Sequence, residues 1–185
     1  MGTDWLPLQS FSPEGRLIVL ENQRVWEAPI AKFGILCRVA RPLRATVRVL
    51  PQEQGVLFRG RLSGAVFLPC VLCAEDSLVL LDERFDCFEP LPADPQSRRG
   101  RTRCLEEADE AVIRLSPHGG YEVNPAALAW EEFSLALPPH PLCREDCKGL
   151  CPVCGANRNR ETCVCARGDG ATFAPLLRLT AAKKI

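Results

Sequence analysis

The placement of the cysteines constrains this chain more than any other feature. Eleven occur among 185 residues. Cys37, Cys87 and Cys104 stand alone. The other eight are closely spaced: Cys70-x2-Cys73, then Cys143-x3-Cys147-x3-Cys151-x2-Cys154-x8-Cys163-x-Cys165. Residues Met1 to Leu6 show neither a basic n-region nor an apolar h-region, so no secretory signal is expected. With an odd cysteine count as well, a disulfide framework is not expected. Cys37 and Cys87 lie in apolar runs and read as small buried hydrophobes, whereas Cys104 follows a run of arginines and reads as an exposed thiol.

A chain of this length suits one domain, or one domain with a small appendage, and can bury a core without cysteine staples. With 46% hydrophobic and 25% charged residues it reads as a globular chain in aqueous solution. No apolar run approaches the roughly 20 residues of a membrane helix. Sixteen prolines and a single tyrosine argue against a mainly helical bundle.

Extended segments dominate the first two thirds. Ala45–Leu50 alternates and is rich in β-branched residues, and 51–55 is a turn signal. A second strand is predicted over Gly60–Pro69, with Leu62, Val66 and Leu68 on one face. A third is predicted over Ser77–Phe88, with Val79, Leu81, Phe85 and Cys87 on one face. Ile35–Val39 and Ala111–Leu115 read as further strands, and 89–103 as a long loop. One helix is well marked over 125–137, with Asn124 as N-cap, Pro125 in the first turn and Pro138-Pro139 beyond its end. Trp130, Phe133 and Leu137 give it an apolar stripe that can close the sheet. The expected fold is α+β: a mainly antiparallel meander or barrel-like sheet, one packed helix and a cysteine-rich zinc-ribbon segment. The expected division is a β-rich core over 1–138 and a metal-binding segment over 139–185.

The close cysteine pairs point to a metal. Two residues between thiolates let both sulfurs reach one ion from a tight turn, and Gly155 after Cys154 permits positive φ there. Thiolates favour Zn²⁺ or iron–sulfur chemistry over Mg²⁺ or Ca²⁺. Cys151, Cys154, Cys163 and Cys165 can complete a tetrahedral site. Cys70, Cys73, Cys143 and Cys147 can make a second, stapling the tail to a hairpin tip, so one or two Zn²⁺ per chain are expected. Two other arrangements stay open: Cys143 and Cys147 with Cys163 and Cys165, or Cys70 and Cys73 as unligated thiols. His140 is a spare donor. A closed Cys₄ shell has no open position, so the expected role is structural, and the ion's binding energy would be folding energy for the tail.

No catalytic constellation emerges. Pro69-Cys70-x2-Cys73 matches half of a zinc deaminase signature, but no His precedes it and no Glu stands two residues after Cys37. A dithiol redox motif would open a helix, whereas Ala74–Ser77 leads back into a strand. The only histidines, His118 and His140, lie in Pro/Gly-rich loops.

The zero net charge conceals segregation. Residues 16–61 carry nine basic and three acidic residues, 75–110 five basic and 11 acidic, and 138–185 eight basic and four acidic. Such a chain can offer a basic face to an anionic partner.

Together, Gly60-Arg61-Leu62-Ser63-Gly64 leading to Cys70-x2-Cys73, a helix ending in Leu135-Ala136-Leu137-Pro138, and Cys143 to Asn159 closing with Cys163-Val164-Cys165 form a recognisable order. Over about residues 45–165 the chain resembles the bacterial YceD family, the large ribosomal RNA subunit accumulation proteins, whose relatives also occur in plastids. The resemblance implies a cytoplasmic, non-enzymatic factor needed for large-subunit rRNA to accumulate. Three positions depart from the family pattern. Leu72 stands where Arg is usual, and Arg158 stands between the two asparagines where Leu is usual. Arg167-Gly168-Asp169-Gly170 follows the last cysteine pair in place of an Asp-Pro-Arg-like stretch.

The expected partner is rRNA or a pre-ribosomal large subunit, with neither a membrane nor a small-molecule substrate. Candidate phosphate contacts are Arg59, Arg61, Arg144, Lys148, Arg158, Arg160 and Arg167, with Arg98 to Arg103 as a further arm. No aromatic platform for stacking bases is evident. The rival expectation is a zinc-ribbon adaptor for a ribosomal protein or an RNA polymerase component, working through the acidic middle.

Overall fold

The computed structural model describes residues 5–92 and 111–165. The expected arginine arm at 98–103, Cys104, Arg167 and the last 20 residues lie outside the described residues.

The centre is an antiparallel meander. Strands β2 (Arg16–Leu20), β3 (Arg38–Pro51), β4 (Gly55–Pro69) and β5 (Asp76–Pro90) lie side by side in chain order. The sheet is open, with β2 and β5 at its edges, so the described strands make a meander and no barrel-like closure. A smaller sheet is formed by β1 (Leu6–Pro7), β7 (Tyr121–Val123) and β6 (Ile113–Leu115), in that spatial order.

Alternation along the strands explains the layering. Ala45, Val47 and Val49 of β3, with Val56, Phe58, Leu62 and Val66 of β4, are fully buried. Val79, Leu81, Phe85 and Cys87 of β5 face the same core. The other face carries charge in register. Arg59 stands opposite Asp86 and Arg61 contacts Asp82 through two nitrogens, at 2.5 and 2.7 Å. The turn expected at 51–55 forms, with the Gln52 N–H donating to the Gly55 carbonyl.

Two helices cover the buried face: α1 (Arg24–Lys32) and α2 (Pro125–Ala136). The Asn124 side chain accepts from the Ala126 and Ala127 N–H groups, both at 3.2 Å. That satisfies two donors that a helix start would otherwise leave open. α2 ends one residue before the expected boundary because Leu137 precedes Pro138, whose ring disfavours helical backbone there. Phe133 is fully buried, with its ring 5.7 Å from that of Trp26 on α1, and Trp130 stacks with Phe33. The expectation that Trp130 and Phe133 serve the core holds.

Ile35–Val39 is not a separate strand. Gly34 terminates α1 at φ +61, and the Ile35 N–H is taken by the Ile30 carbonyl, so only Arg38 and Val39 join β3. The register of β3 on β4 then slips between Val39 and Arg44. There Gln23, just before α1, donates to the Leu43 carbonyl and accepts from the Leu43 N–H, at 2.9 and 3.0 Å. One side-chain amide thus replaces ladder bonds that the slip leaves unmade. Cys37 is buried in the core, as expected of a lone apolar cysteine. Cys87 packs against the same core, where burial and the nearby Glu132 and Glu89 push its thiol up to about 12.

Replacing Asn124 with Ala removes both cap bonds at a buried position. We expect a loss of about 1–2 kcal/mol, read as a lower midpoint in urea unfolding at unchanged slope.

Candidate metal centres

Both candidate centres are built from short turns whose backbone aims sulfur inward. The β4–β5 connection folds so that the Cys70 N–H donates to the Glu75 carbonyl and the Ala74 N–H to the Cys70 carbonyl, at 2.7 and 2.8 Å. In the tail the Cys151 N–H donates to the Ala156 carbonyl and the Gly155 N–H to the Cys151 carbonyl, at 2.8 and 2.9 Å. The two turns therefore share one hydrogen-bond pattern, and each needs left-handed backbone just after its second cysteine. Gly155 supplies it at φ +74; Ala74 supplies it at φ +58 without the freedom of glycine.

The tail is bound to the hairpin mainly by backbone. The Val71 N–H donates to the Pro141 carbonyl, the Leu150 N–H to the Leu72 carbonyl, and Ser77 Oγ to the Leu142 carbonyl. A Cβ at Gly149 would stand 3.0 Å from the Leu72 oxygen, so glycine allows this close crossing. These contacts choose among the arrangements that spacing left open. Cys70, Cys73, Cys143 and Cys147 gather into one group, and Cys151, Cys154, Cys163 and Cys165 into another. Within each group all sulfurs lie within 4.8 Å of one another. Cys70–Cys147 is 3.8 Å and Cys73–Cys143 3.5 Å; Cys154–Cys163 is 3.5 Å and Cys151–Cys163 3.3 Å. His140, the spare donor, belongs to neither group.

These separations decide the chemistry. A disulfide needs sulfurs about 2.05 Å apart, and all eight thiols are free. Four sulfurs about 2.3 Å from one ion form a tetrahedron with edges of about 3.8 Å, and the spacings of 3.3 to 3.8 Å reach that edge or fall slightly short of it. Four soft donors at that spacing could hold a metal ion such as Zn²⁺.

The electrostatics of each group favour such an ion. Burial opposes ionisation of Cys70, but the Cys143, Leu72 and Cys73 N–H groups donate to its sulfur and bring it down to about 6. The Cys154 and Val153 N–H groups do the same for Cys151, also to about 6. At Cys73 the Glu75 amide favours thiolate, yet burial and the neighbouring sulfurs push it up to about 12. Cys163 and Cys154 push Cys165 up to about 12. Each group thus sets sulfurs favoured as thiolate, Cys70 and Cys147 in one and Cys151 in the other, beside others held as thiol by their neighbours. A divalent cation removes that conflict.

The basic candidates fare unequally. Arg59 pairs with Asp86, Arg61 with Asp82, and Arg160 with Glu75 at 2.6 Å. Arg144, Lys148 and Arg158 enter no ion pair among the described residues; the neighbouring Cys143 sulfur, with a smaller contribution from Asp146, holds the Arg144 guanidinium in its charged form. Spacing alone gave no sign of Asn159, whose side-chain N–H donates to Cys147 Sγ at 3.3 Å. The Asn-x-Asn pattern was the available signal.

Ala74→Gly relieves left-handed strain at an exposed position. We expect a gain of about 0.5–1 kcal/mol, with Ala74→Val changing stability in the opposite direction; chemical denaturation checks both.

No helix of the described residues is long and apolar enough to cross a membrane. Neither the curated proteins nor the solved structures yield a match to this chain. One family does, described as "Large ribosomal RNA subunit accumulation protein YceD", over residues 58–180, from β4 through both cysteine groups. That span exceeds half of the chain, and the protein belongs to the YceD family.

Proposed function

We propose that this chain is a non-enzymatic, zinc-stabilised factor that supports large-subunit rRNA accumulation in the cytoplasm by binding rRNA or a pre-ribosomal particle. The observation that carries this reading is the pair of four-thiol groups, found inside a family described by large-subunit rRNA accumulation. Cys70, Cys73, Cys143 and Cys147 hold one ion and Cys151, Cys154, Cys163 and Cys165 the other. With four protein donors each, neither ion keeps a position for substrate, so the metal serves shape. The described part of the tail, 139–165, takes its form from these ions, whereas the β-rich core has its own apolar interior.

The working contacts are phosphate contacts. Arg144, Lys148 and Arg158 ride on the metal-bound turns outside any ion pair of the described residues, and Arg167 follows in the same segment of sequence. Arg59, Arg61 and Arg160 take part only by sharing or exchanging Asp86, Asp82 and Glu75. Backbone bonds fix where the tail cations sit, as when the Arg158 N–H donates to the Gly149 carbonyl.

One observation favours a second reading, a protein-binding adaptor. Val71, Leu72, Leu150, Val153 and Val164 are exposed on the cysteine-bearing turns, Val164 at 95%. Aliphatic side chains on a small charged surface suit a protein partner better than phosphate.

Elemental analysis should find two zinc ions per chain, falling to one in Cys163→Ser. Affinity for single-stranded rRNA fragments should fall as salt rises. Replacing Arg144, Lys148 and Arg158 together with Ala should flatten the log–log salt slope by about 2. Binding indifferent to salt, but lost in Leu72→Asp, would select the adaptor. Co-sedimentation with large-subunit precursors should disappear on treatment with a strong chelator.

A further inference from the structure

The loop that closes one thiol group also supplies the surroundings of the other. Only eight residues separate Cys154 from Cys163, and two of them reach across to the hairpin-side group. Asn159 donates through one side-chain N–H to Cys147 Sγ at 3.3 Å and through the other to Asn157 Oδ1 at 3.0 Å. Its own Oδ1 accepts from the Lys148 N–H at 2.8 Å, next to Cys147. Arg160 pairs with Glu75, whose carbonyl accepts from the Cys70 N–H. The segment itself is a compact turn, with the Arg160 and Glu161 N–H groups both bonded to the Asn157 carbonyl at 2.9 Å.

We propose that the two thiolate groups are thermodynamically coupled metal sites, with Asn159 as the positioning residue that links them. This rests on the reading that both groups hold ions. The mechanism is conformational. Closing Cys163 and Cys165 onto the ion shared with Cys151 and Cys154 fixes both ends of the 155–162 loop. A fixed loop presents the Asn159 N–H to Cys147 and the Arg160 guanidinium to Glu75 without a further ordering cost. An N–H donated to a coordinating sulfur stabilises its thiolate form and orients it, and such partners are worth about 10–100-fold in metal affinity. Coupling is reciprocal, so an ion at the hairpin-side group strengthens binding at the tail group by the same factor.

The experiment is a zinc titration of the full chain against a chromophoric chelator, repeated with Co²⁺ so that the thiolate-to-metal absorption reports each bound ion. Circular dichroism of the sheet controls for folding. Cys163→Ser combined with Cys165→Ser removes the tail site and should lower hairpin-site affinity by 10- to 100-fold. Asn159→Asp keeps the oxygen that accepts from the Lys148 N–H but loses the donor to sulfur. It should lower hairpin-site affinity by at least tenfold in the otherwise intact chain. In the double-serine background its further effect should shrink to less than about threefold, because the loop is already free. Hairpin-site affinity unchanged by the serine pair, or equal Asn159→Asp effects in both backgrounds, overturns the coupling. Two ions bound independently would sink only this inference, whereas a folded chain binding no ion would end the functional reading as well.

Discussion

The placement of the tail depends on four sulfurs brought together from distant parts of the chain. Cys73 and Cys143 are 70 residues apart in the chain, Cys70 and Cys147 77. Between them run β5, strands β6 and β7 of the small sheet, and α2. An ion held there clips a loop of that length shut. If it acts like a covalent cross-link, the lost freedom of the unfolded chain corresponds to about 4 kcal/mol. The clip is seated where the meander has already brought Cys70 and Cys73 together at a hairpin tip. The core needs no metal to organise its apolar face, whereas the described residues beyond Pro141 make no comparable apolar interior and are placed by sulfur and backbone contacts.

Charge follows a similar logic of pairing across the fold. Along the chain, basic and acidic stretches are separated; in the sheet they are neighbours. β5 carries Asp76, Asp82 and Asp86 alongside arginines from β3 and β4, and Arg38 bonds Asp76, Arg61 Asp82 and Arg59 Asp86. Each is an exposed pair and contributes little to stability. Their larger effect is to neutralise the outer face of the sheet. Among the described residues, cations outside any ion pair remain both on the core, as at Arg41 and Arg48, and on the tail turns, as at Lys148 and Arg158.

How much of this was legible in the chain depended on whether local chemistry or tertiary contact decided the outcome. The start of α2 is local: Asn124 and Pro125 specify it. The turn at Cys151–Gly155 is local too, because glycine marks the left-handed position. The matching turn at Cys70–Ala74 was legible only in part, since Ala74 adopts the same backbone without advertising it. α1 was hidden because Pro29 sits within it, and it is held by tertiary contacts of Trp26 and by Gln23 bonding Leu43. β1 and β7, two and three residues long, carry no periodicity and exist because they pair with each other. The grouping of the sulfurs was decided by Val71–Pro141 and Leu150–Leu72 backbone bonds, which no cysteine spacing encodes.

The departures from the family pattern can now be placed on this scaffold. At Leu72 the carbonyl carries the structural duty, accepting the Leu150 N–H, while the side chain is 47% exposed. At Arg158 the N–H bonds the Gly149 carbonyl, so the backbone again does the holding. A residue whose backbone is committed and whose side chain is not can change type without disturbing either thiol group. In this chain the hairpin tip therefore presents the aliphatic Leu72 and the tail loop the cationic Arg158. The thiol framework is thereby separable from the surface it presents: side chains such as Leu72 and Arg158 shape that surface while backbone bonds hold the eight sulfurs in place.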